Sequence, residues 1–122
     1  MSFKVVEEFE NKIAEFYGAK YAVATDSCTH AIELCLRAEK DPPRLMFLPA
    51  RTYISIPFTL MKLEQEFVFD DYGWEDYYWI GNTNIIDAAV LWKRNSYKNG
   101  TLMCLSFQFQ KHLSLGRGGA IL

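Results

Sequence analysis

The sequence predicts an α/β fold with a mainly parallel sheet and helices on both faces. Short apolar runs of strand length alternate along the chain with segments whose apolar residues recur at helical spacing. Strands that are apolar throughout are typical of parallel sheets covered by helices on both sides. Half of the 122 residues are hydrophobic, which is enough for one core. We therefore expect a single domain over residues 1–122.

The first half of the chain predicts three helices and three strands. An amphipathic helix over residues 3–16 should stop at Gly18, and a strand over 21–24 leads into a helix through 31–38. Asp26 or Ser27 is the expected N-cap of that second helix. Apolar strands at 45–48 and 67–69 flank a third helix over 53–63, with Pro57 in its first turn.

The second half predicts strands at residues 84–86, 102–105 and 119–122. The segment from 70 to 84 is too short for a crossover helix followed by a further parallel strand. We expect it to be an aromatic-rich loop, part of whose surface a partner chain covers. Its aromatic residues are Tyr72, Trp74, Tyr77, Tyr78 and Trp79.

Charge and cysteine content exclude several classes of protein. The net charge is −2, and no Lys/Arg cluster suits a nucleic-acid backbone. No run approaches the roughly 20 apolar residues that span a bilayer, so we expect a cytoplasmic protein. Cys28, Cys35 and Cys104 are odd in number and lack CxxC spacing, which argues against a disulfide framework and against a zinc site.

Candidate site residues follow the predicted strands, because ligands of open α/β sheets bind at the carboxyl ends of strands. Ser27, Cys28 and Thr29 open a helix, where backbone N–H groups favour an anion such as phosphate. Simple N-capping explains the same residues and is the more common case. Tyr53 offers a flat face to a planar ring, although core packing is the commoner role of an aromatic residue.

Two ionisable residues complete the candidate site. Asp87 emerges from an apolar strand and needs a partner, which is either a protein group or a cationic ligand such as a pyridinium nitrogen. Lys111 lies five residues beyond Ser106 and precedes a glycine-rich stretch. A lysine amine forms Schiff bases when it is partly desolvated, although most lysines are solvated surface charges.

Taken in order, these segments resemble the DegT/DnrJ/StrS family of fold-type-I, pyridoxal-phosphate-dependent sugar aminotransferases. Residues 9–24 are similar to the family's opening helix and first strand, and 26–31 to its phosphate turn. Residues 49–55 resemble the stretch with the ring-stacking aromatic, 85–89 the strand that carries the cofactor's aspartate, and 106–120 the serine-to-lysine segment with its glycine-rich sequel. The similarity implies a reduced version of the large domain of these transferases.

The resemblance assigns a role to each candidate residue. Lys111 forms the internal aldimine with pyridoxal 5′-phosphate and moves the proton between the substrate carbon and the cofactor. Asp87 keeps the pyridine nitrogen protonated, and Tyr53 stacks on the ring. Ser27, Cys28, Thr29 and Ser106 hold the phosphate. The implied reaction is amino transfer from an amino acid to a nucleotide-linked keto-sugar, and the implied assembly is a homodimer.

Three residues depart from the family pattern. Cys28 replaces the usual glycine of the phosphate turn, Val90 stands where a glutamine or histidine is common near the ring hydroxyl, and Arg117 replaces a glutamate. The resemblance further implies a strand and helix between residues 71 and 84 and a C-terminal half, which these 122 residues do not include. Two alternatives therefore stay open: a piece of a split aminotransferase that works with a complementing C-terminal chain, and a vestigial, non-enzymatic binding domain.

Overall fold

The computed structural model describes residues 3–108 and 113–122, and within them the chain forms three helices and seven strands. The helices are α1 (Lys4–Tyr17), α2 (Cys28–Ala38) and α3 (Ser55–Lys62). The strands are β1 (Val23–Thr25), β2 (Leu45–Pro49), β3 (Glu66–Asp70), β4 (Tyr78–Trp79), β5 (Ile85–Asp87), β6 (Leu102–Ser106) and β7 (Gly119–Ile121). The α/β class is confirmed. None of the helices in the described part of the chain is both long and apolar enough to cross a membrane.

The strands form two sheets. Five of them make one sheet in the order β1-β7-β6-β5-β4, and β2 and β3 make a separate parallel pair. The prediction of a mainly parallel sheet is wrong for the larger sheet, where only β5 and β6 run parallel and the other three pairings are antiparallel. Apolar patterning does not determine direction, because a strand has the same side-chain period of two in either direction.

Strand β4 lies inside the segment that was expected to be a loop. Its two residues pair antiparallel with β5, with Tyr78 opposite Asp87 and Trp79 opposite Ile86. Residues 80–84 join the two strands, and a connection this short permits an antiparallel return but no parallel crossover. The exclusion of a further parallel strand from this segment is therefore correct. The prediction of a loop is wrong at Tyr78 and Trp79, which form a hairpin with β5.

The helix boundaries follow local chemistry. Helix α1 ends at Gly18, whose left-handed φ of 77° and N–H bonds to the carbonyls of Ala14 and Glu15 form the expected C-cap. Ser27 caps α2, since its side chain accepts a hydrogen bond from the N–H of His30. Helix α3 begins two residues later than predicted, at Ser55, and Pro57 does lie in its first turn.

Helices cover both faces of the larger sheet, as predicted. Ile85 and Cys104 belong to a hydrophobic cluster with α2 and α3, whereas Ile86 and Leu105 belong to a cluster with α1. Successive residues of a strand point to opposite faces, so these neighbours serve the two cores in turn. The side of the sheet that faces α2 and α3 is also the side on which the candidate residues gather.

Candidate functional site

Asp87 lies at the carboxyl end of β5 with only 5% of its surface exposed. Its Oδ2 atom accepts a hydrogen bond of 2.7 Å from the hydroxyl of Tyr78, and its Oδ1 atom accepts one of 3.0 Å from the N–H of Ala89. A buried carboxylate is costly unless it is hydrogen-bonded or paired with a positive charge. The structure thus supplies a donor to each oxygen of the acid that the sequence singled out.

Tyr78 is a site residue that sequence reasoning missed. It is 3% exposed, and its hydroxyl also accepts hydrogen bonds from Thr52 Oγ1 at 2.8 Å and from the N–H of Tyr53 at 3.2 Å. Burial, reinforced by the charge of Asp87, raises the pKa of Tyr78 well above its usual value, so the hydroxyl stays protonated and donates. Gly81-Asn82 after an apolar run is a hairpin signal that pointed to this strand.

A cavity of about 260 Å³ opens above Asp87 and Tyr78. The structure brings five of the expected residues to its wall: Cys28, Thr29, Tyr53, Asp87 and Ser106. Further lining residues are Ile32, Arg51, Thr52, Ser55, Ile56, Trp74, Tyr78, Ala89, Val90 and Gln108. The polar ends of β5 and β6 therefore face the start of α2 and the connection between β2 and α3 across one space.

The start of α2 forms one side of the cavity. Thr29 Oγ1 donates a hydrogen bond of 2.9 Å to Ser55 Oγ, which ties α2 to α3. Ser27 is not among the described residues that line the cavity, and its hydroxyl accepts from the N–H of His30 at 3.0 Å. The hydroxyl of Ser27 therefore acts as the N-cap of α2. Cys28 is buried and lines the cavity.

Gly119 of β7 packs closely against the start of α2. A Cβ atom on Gly119 would lie 2.6 Å from the carbonyl carbon of Ser27 and 2.7 Å from the backbone nitrogen of Cys28. Only a residue without a side chain permits this approach of strand to helix. The glycine-rich stretch therefore fixes the depth at which α2 begins relative to the sheet.

Tyr53 and Ser106 both line the cavity. Tyr53 is 58% exposed and precedes α3, and its backbone is held by the hydroxyl of Tyr78. Ser106 is the buried last residue of β6. Lys111 lies outside the described residues, so its expected role stays a prediction.

The three cysteines are buried, and none of them forms a disulfide bond. The Sγ atoms of Cys35 and Cys104 lie 3.8 Å apart beneath α2. Their contact, together with burial, raises the pKa of the Cys104 thiol. This pair belongs to the core and not to the wall of the cavity.

Comparison with known proteins decides the family. Residues 1–91 match the model of the DegT/DnrJ/EryC1/StrS aminotransferase family. The chain belongs to this family. The resemblance drawn from the motifs is thereby confirmed, and the family is pyridoxal-phosphate-dependent, as expected. A search of curated proteins finds no match.

Solved structures share the fold. DesI, in the presence of its TDP-sugar product, superposes with a TM-score of 0.76 and 18% identity, over 100% of this chain and 42% of that one. GDP-4-keto-6-deoxymannose-3-dehydratase with bound GDP-perosamine gives 0.69 and 16%, over 98% and 44%. A putative sugar aminotransferase from Streptococcus pneumoniae in its PLP form gives 0.68 and 16%, over 95% and 44%. The chain spans less than half the length of these proteins.

The residues around the cavity fit pyridoxal phosphate. Asp87 supplies a buried carboxylate for a ring nitrogen, Tyr53 an aromatic face, and Thr29 and Ser106 hydroxyls for a phosphate near a helix N-terminus. A volume of about 260 Å³ is close to the lower end of the roughly 300–1,000 Å³ of small-molecule pockets. Val90, which is 43% exposed, lines the wall without a polar group for the ring hydroxyl.

Proposed function

We propose that this chain binds pyridoxal phosphate in the cavity beside Asp87 and uses it for amino transfer from an amino acid to a nucleotide-linked keto-sugar. One observation carries the proposal: in a member of an aminotransferase family, a nearly buried aspartate lies in the wall of a cavity that an aromatic ring, two hydroxyls and a helix start also line. The solved relatives with TDP- and GDP-linked sugars support the class of acceptor.

Each of these residues in the cavity wall has a role that follows from the chemistry of its side chain. Asp87, with a donor fixed on each carboxylate oxygen, accepts a hydrogen bond from the cofactor's ring nitrogen and keeps that nitrogen protonated. Tyr53 excludes water from one face of the ring. Ser106 donates its hydroxyl to a phosphate oxygen, Thr29 does the same once its hydroxyl turns away from Ser55 Oγ, and the start of α2 adds the favourable field of a helix N-terminus.

Lys111 supplies the amine that attaches the cofactor, and it carries the proton to and from the substrate carbon. Its assignment rests on the family motif that runs from Ser106 into the glycine-rich stretch. When bound, the cofactor supplies an electron sink for the carbanion formed at that carbon.

The assembly forms part of the same proposal. A cytoplasmic homodimer, or a complex with a chain that supplies the rest of the substrate site, agrees with the family. Tyr72 and Trp79, 40% and 39% exposed, offer aromatic surface to such a partner. Tyr78, which the sequence grouped with them, is buried and faces the cavity instead.

The test is the first half-reaction, which needs no sugar. The protein is loaded with pyridoxal phosphate and incubated with a panel of L-amino acids, and the keto acid is quantified by mass spectrometry. We expect about one keto acid per chain from the preferred donor. Lys111→Ala should release no more than pyridoxal phosphate alone, whereas Lys93→Ala, an exposed lysine outside the cavity, should match the wild type.

Two outcomes would contradict the proposal. Equal keto-acid release from wild type and Lys111→Ala would show that Lys111 is not the attaching amine. Cofactor binding without any keto acid, in the presence or absence of added partner chains, would favour the non-enzymatic binding domain.

A further inference from the structure

We infer that Tyr78 is a positioning residue. Its hydroxyl group fixes the position of Asp87 relative to that of Tyr53 in the cofactor site. This inference rests on the proposed function, because it assigns a task at the same cavity. Tyr78 belongs to the segment in which this chain differs from the family pattern, so the family motifs do not assign it a role. Its evidence lies in the contacts of a single hydroxyl group.

That hydroxyl joins the two sheets. In the described part of the chain, no backbone ladder connects β2 and β3 with the five-stranded sheet. Tyr78, on β4 of the larger sheet, accepts hydrogen bonds from Thr52 and Tyr53, which directly follow β2. The hydroxyl oxygen of Tyr78 thus holds the connection between β2 and α3, which includes Tyr53, at a fixed distance from β5.

The same oxygen orients the carboxylate. A phenol has one hydrogen to donate, and here it goes to Asp87 Oδ2 at 2.7 Å while Ala89 N–H holds Oδ1 at 3.0 Å. Two donors on different oxygens fix the plane of a carboxylate. A carboxylate has about four acceptor positions, so these two bonds are compatible with a further donor from a ligand.

Removing only the hydroxyl isolates this role. Tyr78→Phe keeps the ring that packs against Trp74 at a centroid distance of 4.6 Å and deletes all three hydrogen bonds. Asp87 then keeps its charge and its hydrogen bond from Ala89 N–H but loses the donor on Oδ2, and Tyr53 loses its tether. We expect the affinity for pyridoxamine phosphate to fall about tenfold, because the carboxylate that meets the ring nitrogen has lost one of its fixed donors and is less well preorganised.

Tyr17→Phe provides the matched control. Tyr17 is 1% exposed, and its hydroxyl donates a 2.6 Å hydrogen bond to the carbonyl of Leu91, in the other hydrophobic cluster. Both variants remove a buried, hydrogen-bonded hydroxyl and should lower the unfolding temperature. Only the variant at the cavity should weaken ligand binding if Tyr78 positions the site, whereas a purely structural role would affect both variants alike.

The experiment measures pyridoxamine phosphate binding to wild type, Tyr78→Phe and Tyr17→Phe by calorimetric titration, after circular dichroism has shown that each is folded. Pyridoxamine phosphate binds without the Lys111 attachment, so the result is independent of that step. The absorbance spectrum of the bound ring, which depends on protonation of its nitrogen, should change in Tyr78→Phe alone. Expected dissociation constants rise about tenfold for Tyr78→Phe and less than twofold for Tyr17→Phe.

The results separate this inference from the proposed function. Wild-type binding with an unchanged or tighter constant in Tyr78→Phe would overturn the positioning role and leave the cofactor site standing. An equal loss in both variants would reduce Tyr78 to a structural residue. No binding by the wild type would overturn the cofactor site and this inference together.

Discussion

Strands β5 and β6 of the larger sheet differ in burial from strand β3 of the smaller sheet, and the two sheets contribute different groups to the cavity. In the larger sheet, every residue of β5 is buried, and Met103, Cys104 and Leu105 of β6 are at most 1% exposed. In the smaller sheet, Val68 and Phe69 of β3 are 41% and 55% exposed. The buried sheet contributes Asp87 and Ser106, whereas the connection after β2 contributes the exposed Tyr53. The carboxylate of Asp87, whose position must be fixed, is thus supplied by a strand in which every residue is buried.

The largest expected effect tests this difference in burial directly. Leu105→Ala should lower the free energy of unfolding by about 2–5 kcal/mol, because it leaves a cavity beneath α1. Val68→Ala, on the exposed strand β3, should cost less than about 1 kcal/mol. Urea denaturation followed by circular dichroism measures both. Similar losses for the two variants would show that the smaller sheet is as deeply packed as the larger one.

The next effect concerns the contact between β7 and α2. Gly119→Ala places a methyl group within 2.7 Å of backbone atoms of Ser27 and Cys28, and overpacking of this kind costs about 1–3 kcal/mol. Gly73→Ala is the control, since nothing lies within 4 Å of its added carbon. Thermal unfolding compares them. An unchanged midpoint in Gly119→Ala would refute the close approach that fixes the helix start.

Alkaline pH should weaken the fold through two tyrosines. Burial raises the pKa of Tyr17 and of Tyr78 in the folded chain above the ordinary value of 10.0. Above pH 10 the unfolded chain loses these protons while the folded chain keeps them, so the free energy of unfolding falls by about 1.4 kcal/mol per pH unit for each tyrosine. Below pH 10 both states are protonated and this contribution is constant.

Each Tyr→Phe variant should remove about 1.4 kcal/mol per pH unit from that slope, as measured by urea denaturation between pH 9 and 11. Tyr78→Phe tests the residue that links the sheets. Tyr17→Phe tests a residue that packs in the hydrophobic cluster under α1. A slope that neither substitution changes would assign the alkaline loss of stability to other groups.

The smallest expected effect is at the cap of α2. Ser27→Ala removes the acceptor of the His30 N–H and should cost about 1 kcal/mol, whereas Ser27→Gly should cost only a few tenths. Because Ser27 is not among the described residues of the cavity wall, neither substitution should change pyridoxamine phosphate binding more than twofold. A large loss of affinity in Ser27→Gly would show that this hydroxyl contacts the ligand after all.

Local chemistry explains which features the sequence could predict. The end of α1 at Gly18 and the cap of α2 by Ser27 depend on neighbouring residues, and both were predictable. Asp87 stood out because an acid that follows two isoleucines needs a partner. Its position at the carboxyl end of a buried strand follows from one short segment of sequence.

Long-range pairing explains what was missed. Tyr78 acquires its role from Thr52, which is 26 residues away, and from Asp87, which it faces across a hairpin. No periodicity in residues 70–84 specifies those contacts. The antiparallel direction of β7 between β1 and β6 was hidden for the same reason, since direction depends on the path of the whole chain.

We propose that this cavity is a pyridoxal phosphate site and that Lys111 is its attaching amine. Reduction of the protein with borohydride in the presence of pyridoxal phosphate, followed by intact mass measurement and peptide mapping, tests it most directly. We expect one phosphopyridoxyl group per chain on Lys111, with no labelling in Lys111→Ala and less labelling in Asp87→Asn. Labelling spread over surface lysines, or none at all, would contradict it.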